Sequence, residues 1–190
     1  LVFAVKAIGR ADAAWLLAHA TDEQLRACVD LDAWRDFAPD RGSLGEWIAT
    51  FAEADDDTLL RGVQALDAEV VMLWMQGCVE VQMKPNDDQG WSPPAGGQTV
   101  DGVFYVIAIG DGDDADLVMR LLGLLFESDY WFYFRLLQSV IWELPTENEE
   151  WALKWRTGRM QDLGSPRWEE AAGIYARPRR AEIEQIPDVA

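Results

Sequence analysis

The sequence predicts a mostly α-helical fold: α-solenoid-like helix-pair repeats packed with a C-terminal helical bundle and one small β-hairpin. Three observations predict it. One segment recurs after 35 residues, helix-capping residues precede several amphipathic segments, and a single run combines β-branched and aromatic residues strongly enough to indicate strands. The chain has 190 residues, 49% of them hydrophobic, so a full core is possible.

The repeat lies in the first half of the chain. Residues 21–33 (TDEQLRACVDLDA) align without gaps on residues 56–68 (DDTLLRGVQALDA), with matching Leu-Arg and Leu-Asp-Ala elements. A short helix containing Trp precedes each copy, at 13–20 and 45–52. A period of this length in paired helices is typical of α-solenoids, where each unit buries its apolar face on its neighbour. Chance similarity between two amphipathic helices is the alternative.

Capping residues mark where these helices begin. Thr21 with Gln24, and Ser43 with Glu46, have the spacing of a capping box, in which two side chains satisfy free backbone N–H groups of the first helical turn. Over residues 67–83 the apolar pattern predicts one long helix, although its alternating end, VEVQM, also fits a strand.

The middle of the chain contains the β signal. Residues 84–98 (KPNDDQGWSPPAGGQ) are rich in Pro, Gly and Asp and predict a loop. Residues 99–109 (TVDGVFYVIAI) combine β-branched and aromatic residues with Asp-Gly, which favours a tight hairpin turn. We therefore expect a two-stranded hairpin within residues 99–109.

The second half of the chain is predicted to be helical. The acidic run 111–116 lacks the ligand spacing of an EF-hand loop and indicates a solvated turn before the next helix. Thr146 with Glu149 repeats the capping-box pattern, Gly164 is placed to end that helix, and Ser165 to begin the last one.

Four regions follow from these elements. An acidic helical-repeat region covers residues 1–83, the loop and hairpin cover 84–109, a C-terminal helical region covers 110–176, and a linker or tail covers 177–190. We expect them to form one compact unit. We also expect the chain to be a fragment of a longer protein, because residues 1–9 look like the second helix of an earlier repeat.

The net charge of −18 argues against several classes of partner. Residues 1–119 hold 22 acidic and 7 basic residues. Binding of nucleic acid or of an anionic membrane surface needs clustered Lys and Arg, so neither is expected. No apolar run is long enough for membrane insertion. An acidic surface of this kind suits a basic protein partner or simply keeps the chain in solution.

Catalytic chemistry is not indicated. The sequence has no phosphate-binding loop, no nucleophile elbow and a single histidine, His19, near a helix end where it complements the helix dipole. Cys28 and Cys78 both lie in apolar helical patterns and are interpreted as free buried thiols, which fits a reducing, cytoplasmic compartment. We expect no cofactor.

Residues 130–144 begin with five consecutive aromatic residues, YWFYF, and predict a helix with one wide apolar face. That face consists of Tyr130, Tyr133, Phe134, Leu137, Val140, Ile141 and Leu144. The remaining row mixes indole, guanidinium and amide groups, and it consists of Trp131, Arg135, Gln138 and Trp142. Trp and Arg are typical of the residues that anchor protein interfaces.

A second row on the following helix uses the same residue types: Trp151, Trp155, Arg156 and Arg159. If the two helices pack antiparallel, the two rows form one seam. One interpretation is an internal polar contact, in which the arginines pair with the protein's own carboxylates. The other is a pocket for an anionic ligand or an acidic peptide, held by arginine between aromatic walls.

Three segments resemble an uncharacterised bacterial family that carries a domain of unknown function. They are residues 142–176 (WELPTENEEWALKWRTGRMQDLGSPRWEEAAGIYA), residues 16–34 and the VDGVFYVIAI run. The distinctive elements are W-E-L-P, W-R-x-G-R and D-L-G-x-P. The resemblance covers most of the chain. It implies a largely α-helical bacterial protein with no established activity, so it assigns no functional residues.

The repeat region is also similar to the helical superhelix of magnesium-transporter N-terminal domains, where short amphipathic helix pairs stack in the same way. This likeness suggests divalent-cation sensing, for which the clustered carboxylates Asp55, Asp56 and Asp57 are the candidates. The main expected role is a non-enzymatic scaffold or protein-binding module. The alternative is a regulatory domain that responds to a divalent cation or a small anionic ligand.

Overall fold

The computed structural model describes residues 1–86, 90–110 and 113–174, and in these ranges the chain is mostly helical, as predicted. The helices are α1 (Val2–Ile8), α2 (Arg10–Ala18), α3 (Asp22–Asp32), α4 (Arg41–Ala54), α5 (Asp56–Ala65), α6 (Ala68–Cys78), α7 (Asp113–Ser128), α8 (Tyr130–Trp142), α9 (Pro145–Asp162) and α10 (Trp168–Ile174). The strands are β1 (Trp34–Arg35), β2 (Ala38–Pro39), β3 (Val79–Met83) and β4 (Phe104–Ala108). No helix in the described ranges has both the length and the apolarity needed to span a bilayer.

Two compact units make up the chain, Leu1–Leu153 and Lys154–Ala190. The division falls inside α9. The four regions drawn from the sequence remain a prediction.

The first unit begins with the helix pairs in which the repeat was found. Helix α2 packs against α4, and α3 packs against α5. The matched arginines of the repeat make the contacts between α3 and α5. The guanidinium of Arg26 donates to the carbonyl of Ala65, and that of Arg61 donates to the carboxylate of Asp22 at 3.1 Å. Both contacts join residues 39 apart, so α3 and α5 run parallel. A solenoid-like repeat nonetheless remains a prediction.

A close approach between α4 and α5 explains one glycine of the second repeat copy. A Cβ atom added at Gly62 would lie 2.5 Å from a ring carbon of Phe51, so no side chain fits there without a shift. Phe51 is itself fully buried beside Trp47, with ring centroids 6.3 Å apart. The absence of a side chain at Gly62 therefore lets the ring of Phe51 on α4 pack directly against α5.

Of the three predicted capping boxes, one is confirmed and two are wrong. Thr21 and Gln24 form the predicted capping box of α3. For α4 the capping residue is Asp40, whose carboxylate accepts the N–H of Ser43 at 2.9 Å. Helix α9 begins at Pro145, where a missing N–H costs nothing, so Thr146 lies in its first turn and does not cap it.

In the second unit, α9 ends before Gly164, as predicted. Gly164 has φ of +86° and is followed by a hydrogen bond from the N–H of Ser165 to the carbonyl of Met160, the pattern that closes a helix at a left-handed glycine. The last helix, α10, begins at Trp168 and not at Ser165 as predicted.

The β structure differs from the prediction in its pairing. Residues 67–83 form a helix followed by strand β3, so the single long helix is wrong and the alternative of a strand at VEVQM is right. Strand β3 pairs antiparallel with β4, and Val79 is opposite Ala108. Alternation explains the strand, because Val79 and Val81 are buried while Glu80 between them is exposed. A second small sheet, β1 with β2, was not predicted.

The Asp-Gly pair at 101–102 does not form the turn between the two paired strands, which also corrects the prediction. The carboxylate of Asp101 accepts the N–H groups of Val103 at 2.8 Å and Phe104 at 2.9 Å, and Gly102 has φ of +72°. The pair therefore forms a local turn that leads into β4. Residues 111 and 112 of the acidic run lie outside the described residues.

Helix α8 closes the core of the first unit by packing on α6, α7 and β3. Tyr133, Leu136 and Leu137 are buried, which confirms the centre of the predicted apolar face. The two ends of that face are wrong, since Tyr130 and Leu144 are more than half exposed. Tyr130 lies at the start of the helix, where its ring contacts Phe126 at a centroid distance of 5.8 Å instead of entering the core.

Candidate functional site

The exposed side of α8 forms one wall of a surface groove of about 950 Å³, which we call the α8 groove. Trp131, Arg135, Gln138 and Trp142 lie along this wall, so the structure brings the first predicted row together. Gln64, Leu66 and Ala68, at the end of α5 and the start of α6, line the groove from the other side. No sequence pattern indicates this second wall, because its residues lie more than 60 positions before those of α8.

Hydrogen bonds fix both ends of α8 and thereby place the row. At the start, the carboxylate of Asp129 accepts the N–H of Phe132 at 3.0 Å and the side-chain amide of Gln64 at 3.3 Å. At the end, the side-chain amide of Gln76 donates to the carbonyl of Glu143 at 3.0 Å. The hydroxyl of Ser139 donates to the carboxylate of Glu143 at 2.8 Å. The helix is therefore a rigid platform for its exposed side chains.

The row itself presents unusual groups to solvent. The indole of Trp131 is 79% exposed and that of Trp142 is 69% exposed. Arg135 is exposed as well, and among the described residues it has no ion-pair partner. Gln138 is half-buried between them. Large exposed indoles beside an exposed guanidinium suit binding more than folding, because neither group is engaged within the described chain.

The second predicted row lies on α9. Trp151 belongs to the first unit and is 47% exposed. Trp155, Arg156 and Arg159 belong to the second unit, where the ammonium of Lys154 lies 5.9 Å from the ring centroid of Trp155. The seam between the two rows remains a prediction.

The three carboxylates proposed for cation sensing point to three different partners. Asp55 caps α5 by accepting the N–H of Thr58 at 2.6 Å, and this backbone hydrogen bond lowers the pKa of Asp55. Asp56 pairs with Arg120, and Asp57 lies 3.6 Å from Arg61. Across the described part of the chain, no three acidic, histidine or cysteine side chains converge as a metal site would require. The cation site remains a prediction.

A second polar cluster, which sequence reasoning missed, surrounds Asp32 at the end of α3; we call it the Asp32 cluster. The carboxylate of Asp32 pairs with Lys6 and with Arg10 at 3.0 Å, and it accepts the indole N–H of Trp47 at 3.1 Å. Arg10 also pairs with Glu46, and its guanidinium carbon lies 5.1 Å from the ring centroid of Trp47. The partners come from α1, α2 and α4, so one carboxylate ties four helices together.

The pKa of Asp32 shows how well its carboxylate is satisfied, whereas the Nε of Arg10 is buried without a hydrogen-bond partner among the described residues. Burial alone would raise the pKa of Asp32, but hydrogen bonds from Lys6, Trp47 and Arg10 outweigh it and hold the pKa below its usual value of 3.8. The ionised form is therefore the stable one at neutral pH. No sequence motif signals this arrangement, because the partners lie 26, 22 and 15 residues away.

Three further groups, the thiols of Cys28 and Cys78 and the hydroxyl of Tyr133, are buried in the fold. Burial raises the pKa of Cys28 and of Cys78 to about 11, and both thiols are free, as predicted. A thiol with so high a pKa is a poor nucleophile at neutral pH. Burial also raises the pKa of Tyr133, and the negative charge of Asp101 adds to this effect.

The chain is a mostly helical protein, and its α8 groove exposes two indoles and a guanidinium. The chain belongs to a family of unknown function, DUF6178, which matches residues 1–189. This agrees with the resemblance seen in the sequence. Comparison with curated proteins and with solved structures gives no match.

Proposed function

We propose that this chain is a non-enzymatic protein-binding module and that the α8 groove is its docking surface. The observation that supports the proposal is the row on α8, in which two widely exposed indoles flank an arginine without an ion-pair partner among the described residues. Trp and Arg are the residues most enriched among the energetic anchors of protein interfaces. A free protein keeps such groups in water only at the cost of exposed apolar area.

The size and shape of the groove support a protein ligand. Its volume of about 950 Å³ is at the upper limit of small-molecule pockets, which hold roughly 300–1,000 Å³. Small-molecule pockets also enclose most of their ligand, whereas this groove has walls that are largely exposed along α8. An elongated open groove beside a helix suits another helix laid along it.

We place the module in the bacterial cytoplasm. Two buried cysteines that remain free thiols fit a reducing compartment, where disulfides are rare. The resemblance to an uncharacterised bacterial family supports the bacterial source.

Affinity capture from the source-cell lysate tests the proposal, with three versions of the chain as bait. The variant Trp131→Ala with Trp142→Ala removes both indoles of the groove. The matched control is Trp15→Ala on α2, because Trp15 is 61% exposed and does not line the groove. We expect proteins captured by the wild-type and Trp15→Ala baits to be depleted about tenfold or more with the double variant, since removing one anchor often costs over 1 kcal/mol.

Equal recovery of partners by the double variant and the control would contradict the proposal. A purified partner then gives the quantitative test, in which the dissociation constant must rise for the double variant and stay within about twofold for Trp15→Ala.

A second candidate function is regulation by a small anionic ligand. Arg135 is the observation that favours it, because an exposed guanidinium without an ion-pair partner in the described chain is a ready anion site. Titration with inorganic phosphate and with a dicarboxylate, followed by thermal shift, tests this function. A rise in melting temperature that disappears in Arg135→Ala would support it, and no rise with either anion would exclude it.

A further inference from the structure

The charges in the α8 groove point to the chemistry of its occupant, on the premise that the groove is the docking surface proposed above. One carboxylate lies at each end: Asp129 beside Trp131, and Glu143 beside Trp142. Among the described residues that line the groove, one cation, Arg135, lies between them. The groove lining is therefore net negative, in a chain whose total charge is −18.

Both carboxylates accept hydrogen bonds that hold the helix. Asp129 accepts the N–H of Phe132 and the side-chain amide of Gln64, and Glu143 accepts the hydroxyl of Ser139. Neither forms a salt bridge among the described residues. Their negative charge is therefore left to act on whatever enters the groove.

The indoles favour the same kind of ligand. Trp is the best aromatic partner for a cation, and a guanidinium or ammonium group stacks on its face within about 6 Å of the ring. Trp131 and Trp142 are both mostly exposed to solvent. In the Asp32 cluster the same chemistry is already complete, with Arg10 stacked on Trp47 and paired with carboxylates. The α8 groove contains the indoles and the carboxylates of such a site, and among the described residues no cation is stacked on Trp131 or Trp142.

The spacing of the two sites fits a helix. Trp131 and Trp142 are eleven residues apart on α8, which places them about 16 Å apart along the helix axis. A partner helix lying alongside α8 covers that distance in eleven residues of its own. Positions eleven apart lie on one face of a helix, so two basic side chains with this spacing reach both indoles at once.

We infer that the α8 groove binds a basic amphipathic helix of another protein. Two Arg or Lys side chains eleven residues apart stack on Trp131 and Trp142 and face Asp129 and Glu143. Apolar side chains between them cover Leu66 and Ala68, while Arg135 and Gln138 face a polar or acidic residue at the middle of the partner helix.

Synthetic helical peptides test the inference by fluorescence anisotropy. The first peptide carries two arginines eleven residues apart with two leucines between them on the same face. The second replaces both arginines by glutamate. The third has the composition of the first, but its arginines lie on the opposite face. We expect the first peptide to bind at least about tenfold more tightly than the others, since two cation–π contacts at roughly 1 kcal/mol each exceed that factor.

One double variant, in which each acid is replaced by its amide, isolates the effect of the negative charge of the groove. Asp129→Asn with Glu143→Gln removes both charges and keeps the hydrogen-bond acceptors for Phe132 and Ser139. The matched control, Asp12→Asn with Glu53→Gln, removes two exposed charges that do not line the groove. The groove variant should weaken the first peptide about three- to tenfold and flatten the loss of affinity between about 0.01 and 0.15 M salt. The control should do neither.

Three outcomes would overturn the inference. Tighter binding of the glutamate peptide would show that Arg135 selects an acidic segment. Equal weakening by the two charge variants would show nonspecific attraction by an acidic protein. If no peptide binds, although the Trp131→Ala and Trp142→Ala bait still loses its captured proteins, the basic helix is excluded and the docking function stands. If that bait loses nothing, the docking function fails as well.

Discussion

The Asp32 cluster and the α8 groove contain the same residue types, but these side chains differ in burial and in pairing between the two regions. Each contains indole, guanidinium and carboxylate groups, which come from four helices in the Asp32 cluster and from α8 with its two capping residues in the α8 groove. In the Asp32 cluster, Trp47 is fully buried, donates to Asp32 and is stacked by Arg10. In the α8 groove, Trp131 is 79% exposed and Arg135 has no ion-pair partner among the described residues. Composition alone does not separate a folding element from a binding surface. The two are distinguished by the number of partners that the chain itself supplies to each side chain.

The largest difference in stability is expected when the same substitution, Trp to Ala, is made once in each region. Trp47→Ala removes a buried indole and takes from Asp32 one of its three donors, so it should lower the free energy of unfolding by about 3–5 kcal/mol. Trp131→Ala should change it by less than about 0.5 kcal/mol, because its indole is mostly in water. Urea denaturation followed by circular dichroism measures both.

If Trp47→Ala fails to fold, Trp47→Phe provides a milder version of the same test and should still cost about 1–2 kcal/mol, since the ring volume is partly kept and the N–H is lost. A cost above about 2 kcal/mol for Trp131→Ala would make Trp131 a structural residue and remove the contrast.

The Asp32 cluster should also show a pH dependence. Its hydrogen bonds hold the pKa of Asp32 below the usual 3.8, so the ionised form stabilises the fold at every pH above that value. As the pH falls through the lowered pKa, this contribution is lost. Relative to Asp32→Asn, the wild type should be more stable by about 1–2 kcal/mol from neutral pH down to about pH 4, and the difference should shrink below it.

Urea titrations of both chains between neutral and acidic pH measure this difference. Asp12→Asn, an exposed carboxylate on α2, is the control and should stay within about 0.5 kcal/mol of wild type at neutral pH. A difference between wild type and Asp32→Asn that grows at acidic pH would have the wrong sign for a lowered pKa.

Beside the Asp32 cluster, the β1–β2 hairpin predicts a gain in stability. Asp36 and Phe37 form its turn with φ of +47° and +72°, a backbone conformation that glycine adopts without strain. Phe37→Gly should therefore raise the free energy of unfolding by about 0.5–1 kcal/mol, less than the strain of roughly 1–3 kcal/mol because some ring contact is lost. Phe37→Ala serves as control and should give no gain, as Ala keeps the strain. Loss of stability in Phe37→Gly would mean that contacts of the ring outweigh the strain.

The features that depend on residues close together in the sequence could be predicted from it. The helical content, the Thr21 cap, the buried thiols and the exposed row on α8 all follow from periodicity or from residues three to four positions apart. Periodicity failed at the ends of α8, where Tyr130 fits the apolar face by spacing but lies beyond the packed neighbours.

Contacts between residues far apart in the sequence could not be predicted in this way. The partner of β4 is a strand more than 20 residues earlier, and the run of residues 79–83 fits both a helix end and a strand. The Asp32 cluster and the second wall of the α8 groove each join side chains from separate helices. Nothing in the spacing of Lys6, Arg10 and Asp32 distinguishes them from solvent-exposed charges, because tertiary packing alone brings them together.

The smallest expected effect on stability belongs to Arg135, and it tests the contrast between guanidinium groups. Arg135→Ala should change the free energy of unfolding by less than about 0.5 kcal/mol, because among the described residues no carboxylate pairs with it. Arg10→Ala should cost about 2 kcal/mol or more, since Asp32 and Glu46 lose a partner and Trp47 loses its stacked cation.

Urea denaturation of both variants at low and high salt separates them, because salt should reduce the Arg10 effect and leave the Arg135 value unchanged. A loss in Arg135→Ala as large as that in Arg10→Ala would favour the internal polar seam over a binding surface, since an arginine that stabilises the fold is already engaged.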